Sequence, residues 1–134
     1  MASGSAAPIL LYVEDEAITQ GLVEAALREA GFDVLMASDG GEALAQLEAK
    51  SDLLRGLITD INLGDCPDGW EVARSAREAI NGLPVVYVSG ASEHEWTAKG
   101  VPNSLMIAKP FAPAQIVVAI SSLLVASDSA PGQS

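Results

Sequence analysis

Four short apolar runs in this chain each end in side chains that could do chemistry. The run Ile9–Val13 leads into Glu14-Asp15, residues 56–59 into Asp60, residues 84–88 into Ser89-Gly90, and residues 105–108 into Lys109-Pro110. Together they supply three carboxylates, a hydroxyl and an ammonium. Carboxylates gathered in this way hold a hard divalent cation, and one of them can act as a nucleophile. The ammonium would balance the charge of a transferred phosphoryl group.

Taken singly, each residue has an ordinary explanation. Glu14-Asp15 could favour the positive end of a following helix, and Asp60 could be a turn or cap residue. Ser-Gly is a common turn dipeptide, and Lys-Pro often precedes a helix start. Separate explanations would have to coincide four times along one chain. Carboxylates clustered without a counter-charge would also raise one another's pKa, a repulsion that Mg²⁺ (or Mn²⁺) relieves.

For these groups to meet, their runs must be neighbouring parallel strands. Such sheets bind ligands in the crevice beyond the carboxyl ends of their strands. Apolar runs alternate with helix-period stretches five times, the pattern of a sheet built from strand–helix–strand units. The first helix is expected over residues 17–30, with Ile18, Leu22, Ala26 and Leu27 at helical spacing and Gly31 as its stop. A shorter strand follows at 34–37.

Asp39 with Glu42 then reads as a capping pair opening a helix that runs to about Lys50 and buries Ala43, Leu44 and Leu47. The same spacing recurs as Asp68 with Glu71 before residues 70–80, and as Ser92 with Glu95 before Trp96–Lys99. Residues 114–125 are apolar enough for a last helix lying on the sheet. One domain over 8–126 is expected, between disordered tails at 1–7 and 127–134.

Composition narrows the function classes. A chain of 134 residues that is 49% hydrophobic and 19% charged is long enough for one buried core. Its net charge of −11 repels nucleic acid and anionic membrane, and no basic stripe offsets it, so neither is expected as a partner. The single Cys66 excludes an intrachain disulfide and reads as a loop thiol of a reducing cytoplasm. No apolar run reaches the ~20 residues of a membrane span. No basic segment precedes an apolar stretch at the N-terminus, as a signal peptide requires.

The ordered set of motifs resembles the receiver domain of bacterial response regulators, the CheY-like family. It comprises Glu14-Asp15, Asp60, Asp68-Gly69, Ser89-Gly90 and Lys109-Pro110-Phe111 and covers the chain from Ile9 to about Val125. The resemblance implies a doubly wound (βα)5 three-layer α/β sandwich with strand order 2-1-3-4-5. It implies that Asp60 accepts a phosphoryl group from a phosphohistidine on a histidine kinase or phosphotransfer protein. Asp15 would then bind Mg²⁺ directly and Glu14 largely through water, with Asp60 and the backbone carbonyl of Asn62 completing the set. Lys109 would hold a phosphoryl oxygen and Ser89 would donate its hydroxyl after transfer. A cis bond before Pro110 is also implied. So are a kinase-docking surface near the first helix and a homodimer face formed by the fourth helix, fifth strand and fifth helix.

Several positions depart from the family pattern. Met106 stands where the family's switch has an aromatic ring, so phosphoacceptance is better supported than the usual switch. Tyr87 could substitute, although strand packing explains it more simply. The loop 63–67 carries its proline late, and Asp65 and Asp68 read as solvated acids or caps. Trp70 reads as packing, and His94, the one histidine, as a surface residue. With only a short tail after the last helix, the chain is expected to be a stand-alone regulator or a piece of a hybrid kinase. Two other functions compete with a phosphoacceptor whose only catalysis is on itself. A pseudo-receiver that merely binds protein fits Met106 but not the intact Asp15, Asp60 and Lys109. A small Mg²⁺-dependent aspartyl-phosphate hydrolase is the other, but members of the haloacid-dehalogenase-like class place a second Asp two residues after the nucleophile, where this chain has Asn62.

Overall fold

The five apolar runs form one parallel sheet in the computed structural model, which describes residues 7–64, 67–91 and 93–128. In chain order the elements are β1 (Ile9–Val13), α1 (Ala17–Glu29), β2 (Asp33–Ala37), α2 (Gly40–Lys50) and β3 (Leu54–Asp60). Then follow α3 (Gly69–Ala79), β4 (Val85–Ser89), α4 (Trp96–Lys99), β5 (Ser104–Ala108) and α5 (Pro113–Asp128). A 3₁₀ turn, Glu93–Glu95, leads into the single turn of α4. The strands lie in the order β2-β1-β3-β4-β5, every pair parallel.

Both faces of the sheet are covered, which is why its strands are apolar without alternation. Leu11, Val13, Leu57, Val85 and Tyr87 point to one side and pack with residues of α2 and α3. Leu10, Tyr12, Ile58, Val86 and Val88 point to the other and pack with residues of α1 and α5. Successive side chains of a strand face opposite ways, so each run feeds both cores.

After β1 the chain winds outward to β2, and then returns to β3 on the other side. The order therefore reverses between β1 and β3, and a crevice opens beyond their carboxyl ends. Glu14 and Asp15 leave β1 at this point and Asp60 ends β3. The expected fold and strand order are both present.

Several boundaries differ from expectation. β3 begins at Leu54 and includes Asp60, and β4 includes Ser89, so these two side chains terminate strands rather than follow them. α5 continues to Asp128, two residues past the expected domain boundary. In α1, Val23 and Leu27 are buried, whereas Ile18 is 76% exposed and Leu22 59% exposed. One residue step turns a helix by ~100°, so a stripe centred on Val23 and Leu27 carries Ile18 and Leu22 out to solvent.

The caps also sort themselves. The Asp39 carboxylate accepts the Glu42 amide at 2.7 Å, while Asp68 and Glu71 form a reciprocal capping box at 3.0 and 3.1 Å. The Ser92 cap falls outside the described residues, as do Asp65, Cys66 and the tails 1–6 and 129–134.

Candidate metal and phosphoryl site

The crevice gathers its groups from three strand ends. Backbone bonds set the frame: the Glu14 amide donates to Ala37 O, Ile61 N to Val88 O, and Lys109 N to Ser89 O, all at 2.8–3.0 Å. Carboxylate oxygens of Glu14, Asp15 and Asp60 lie within 4.8 Å of one another. The Lys109 ammonium donates to Asp60 Oδ2 at 2.7 Å. Asp60 is 3% exposed and Glu14 1%, whereas Asp15 faces solvent.

Ser89 is fully buried at the end of β4, and its Oγ accepts the Ala91 amide at 3.1 Å. Asn62 lies exposed just past β3. The Lys109–Pro110 peptide is cis. The structure thus brings Glu14, Asp15, Asp60 and Lys109 together, with Ser89 at the end of the adjacent strand.

Electrostatics follow from the burial. Glu14 is pushed from its ordinary 4.5 up to about 7, first by desolvation and then by the charge of Asp60. Burial opposes the Lys109 ammonium, but the hydrogen bond and charge of Asp60, aided by Glu14 and Asp15, outweigh it and raise its pKa. One lysine facing three carboxylates leaves an excess of negative charge.

The donor set fits a small hard cation. Every candidate ligand is an oxygen, and metal–oxygen bonds of ~2.1 Å place ligands about 2.9 Å apart when cis and about 4.2 Å when trans. The three carboxylates, with oxygens within 4.8 Å of one another, lie close to that range.

Several supporting contacts were not legible in the sequence. The Tyr12 hydroxyl donates to Glu14 Oε1 at 3.5 Å, and the Glu16 amide donates to Oε2 at 3.2 Å. Gln20 Nε2 donates to the Glu14 carbonyl and to Ser38 Oγ. A Cβ on Gly69 would collide with the Asp60 carbonyl and come within 2.7 Å of Ile61 Cα, so only glycine lets α3 start this close to Asp60. A lone tyrosine in an aliphatic strand was the one available clue to Tyr12.

The remaining singled-out residues lie where packing puts them. Trp70 is buried and tilts against Tyr87, ring centroids 4.8 Å apart. The Tyr87 hydroxyl accepts the Val101 amide at 3.0 Å, and Met106 pairs in register with Tyr87. His94 is exposed.

A 2-1-3-4-5 parallel sheet with an acidic cluster at its switch point defines an α/β fold of the flavodoxin-like, CheY type. The chain belongs to the response regulator receiver family, whose model, "Response regulator receiver domain", matches residues 10–121. A response regulator receiver protein from Sinorhizobium medicae WSM419 is 42% identical, with a TM-score of 0.86 over 90% of this chain and 96% of its own. Transcriptional regulatory protein CusR of Escherichia coli (strain K12) is 35% identical over 86% of this chain and 50% of its own length. Transcriptional regulatory protein PrrA of Mycobacterium tuberculosis (strain ATCC 25618 / H37Rv) is 32% identical over 92% and 53%.

The chain therefore spans about half the length of these two regulators. Receiver domains belong to two-component signalling rather than to conventional enzymes, and they work with histidine kinases or phosphotransfer proteins. The exclusion of nucleic acid rested on this chain's charge alone and gains no support from relatives that are transcriptional regulators. Among the described residues no helix is long and apolar enough to cross a membrane.

Proposed function

We propose that this protein is a phosphoacceptor in which Asp60 takes a phosphoryl group from a phosphohistidine of a kinase or phosphotransfer partner. The observation that carries the reading is the Lys109–Asp60 pair at 2.7 Å beside the three-carboxylate cluster. A carboxylate oxygen of Asp60 forms the new bond to phosphorus as the phosphorus–nitrogen bond to the imidazole breaks. The electron pair of that bond stays on the ring nitrogen.

Glu14, Asp15, Asp60 and the Asn62 carbonyl would hold Mg²⁺, which when bound neutralises charge on the phosphoryl oxygens. Lys109 passes from Asp60 to a phosphoryl oxygen, and Ser89 turns its hydroxyl to the product. Positioning and charge compensation supply the rate, so the domain catalyses its own phosphorylation and dephosphorylation and needs no further base.

Two surfaces support the partner assignments. Ile18 and Leu22 stand exposed on α1, and Leu22 lines a groove with Lys109, Pro110 and Phe111 at the mouth of the crevice, where a donor would dock. Before Asp128 the sequence of α5 carries no charged residue, and the helix exposes Val118 and Val125, which fits a homodimer through α4, β5 and α5.

Intact-mass measurement after incubation with Mg²⁺ and a small phosphodonor tests the central step. One phosphoryl adduct that requires both Mg²⁺ and Asp60, and disappears in Asp60→Asn, is expected. An adduct that survives in Asp60→Asn would overturn the assignment.

A further inference from the structure

We propose that Tyr12 is a positioning residue for Glu14, its buried hydroxyl fixing one carboxylate oxygen so that the acidic cluster is held ready for a divalent cation. This rests on the metal-binding reading of the cluster and adds a residue to it.

Leu10, Tyr12 and Glu14 follow one another at two-residue spacing and so project to the same side of β1 and its extension. Tyr12 is 1% exposed, packed among the aliphatic residues that β1, β3 and β4 direct toward α1 and α5. The other side chains of β1 are all Ile, Leu or Val, so the Tyr12 hydroxyl is the one polar side-chain atom of that strand. It emerges at the strand's carboxyl end, 3.5 Å from Glu14 Oε1, and among the described residues Glu14 is its hydrogen-bond partner.

Glu14 is held at every polar group it has. Tyr12 reaches Oε1, the Glu16 amide reaches Oε2 at 3.2 Å, and Gln20 reaches the carbonyl. The Glu14 amide itself donates to Ala37 O at 3.0 Å. Each carboxylate oxygen keeps a lone pair free after one such bond. A neutral donor has a particular advantage here. A lysine or arginine in place of Tyr12 would orient Glu14 equally well but would neutralise it and compete with the cation. The phenol orients the acid and leaves its charge in place. A phenol is a neutral O–H donor at ordinary pH.

The test is direct Mn²⁺ binding by the full chain, followed by the spectroscopic signal of the free ion, with no phosphodonor present. Tyr12→Phe keeps the ring and removes only the hydroxyl. Loss of a partner behind a metal ligand weakens affinity by about 10-fold or more, and that loss is expected here with the metal-free melting temperature little changed. In a Glu14→Gln background the same Tyr12→Phe change should move affinity by less than about twofold, because its target is gone. Equal affinities of wild type and Tyr12→Phe would overturn the positioning role alone. A 10-fold loss that persists in the Glu14→Gln background would show that Tyr12 acts by another route. Wild type that takes up no Mn²⁺ would sink the metal reading itself, and with it the role of Tyr12.

Discussion

Replacing Glu14 by Gln should stabilise the metal-free protein, and the gain should grow with pH. Glu14 is buried beside Asp60, and its carboxyl ionises at about 7 in the fold against 4.5 ordinarily. The native state therefore holds a proton that the unfolded chain has lost throughout this window. Stability on this account is fully present below the unfolded pKa of 4.5 and is lost as the pH rises through 7. A shift of roughly 2.5 units corresponds to about 3 kcal/mol, of which about 2.5 kcal/mol falls between pH 5 and pH 8. Gln has the shape of the protonated acid and can still accept the Glu16 amide, so it removes the ionisation with little repacking.

Urea unfolding of wild type and Glu14→Gln in a chelator, across pH 5 to 8, isolates this contribution because all other titrating groups are shared. The stability difference should widen by about 2.5 kcal/mol toward pH 8, equivalent to roughly 10 °C in melting temperature for a domain of this size. Mg²⁺ should narrow it, since only wild type then has a full carboxylate set for the ion. In an Asp60→Asn background the widening should shrink and shift to lower pH, because the charge of Asp60 is the second cause of the raised value. A difference that stays constant from pH 5 to 8 refutes the buried-charge reasoning.

Gly69→Ala should destabilise by about 2 kcal/mol or more, because its Cβ would collide with the Asp60 carbonyl; an unchanged urea midpoint would contradict that. Lys109→Met should abolish phosphorylation by small donors. It should also cost the metal-free fold about 2–3 kcal/mol, because the Asp60 side chain is only 4% exposed and loses its ammonium partner while Glu14 and Asp15 stay beside it; mass and unfolding measurements separate the two effects. Tyr87→Phe leaves the buried Val101 amide without its acceptor and should cost about 1–2 kcal/mol, with a change in near-UV circular dichroism from Trp70 packed on that ring. Ile18→Asp should slow transfer from a kinase or phosphotransfer protein while leaving small-donor phosphorylation within about twofold, because Ile18 is 76% exposed and lies outside the acidic cluster.

What the sequence revealed and what it hid have different physical origins. The sheet was legible because strands buried on both faces must be apolar throughout, and these runs have no other use. Asp60 and Lys109 were legible because both close such runs, where only the crevice offers them water or a partner. The α1 stripe misled because Ile18 and Leu22 share its apolar character with the buried Val23 and Leu27. Hydrophobicity alone does not say which residues meet the sheet.

Tyr12 and Gln20 were hidden for a different reason. Their roles are set by what they reach in three dimensions, and a tyrosine at the end of a strand reads as packing until the neighbouring carboxylate is placed. Residues at the strand ends announce the chemistry, whereas residues one layer behind decide how firmly the acids are held. Met106 is a separate case, a matter of packing. It lies beside Tyr87, whose hydroxyl is bound to the amide of Val101. An aromatic group is therefore present next to the strand where the family keeps its switch, tethered to the backbone and buried on β4.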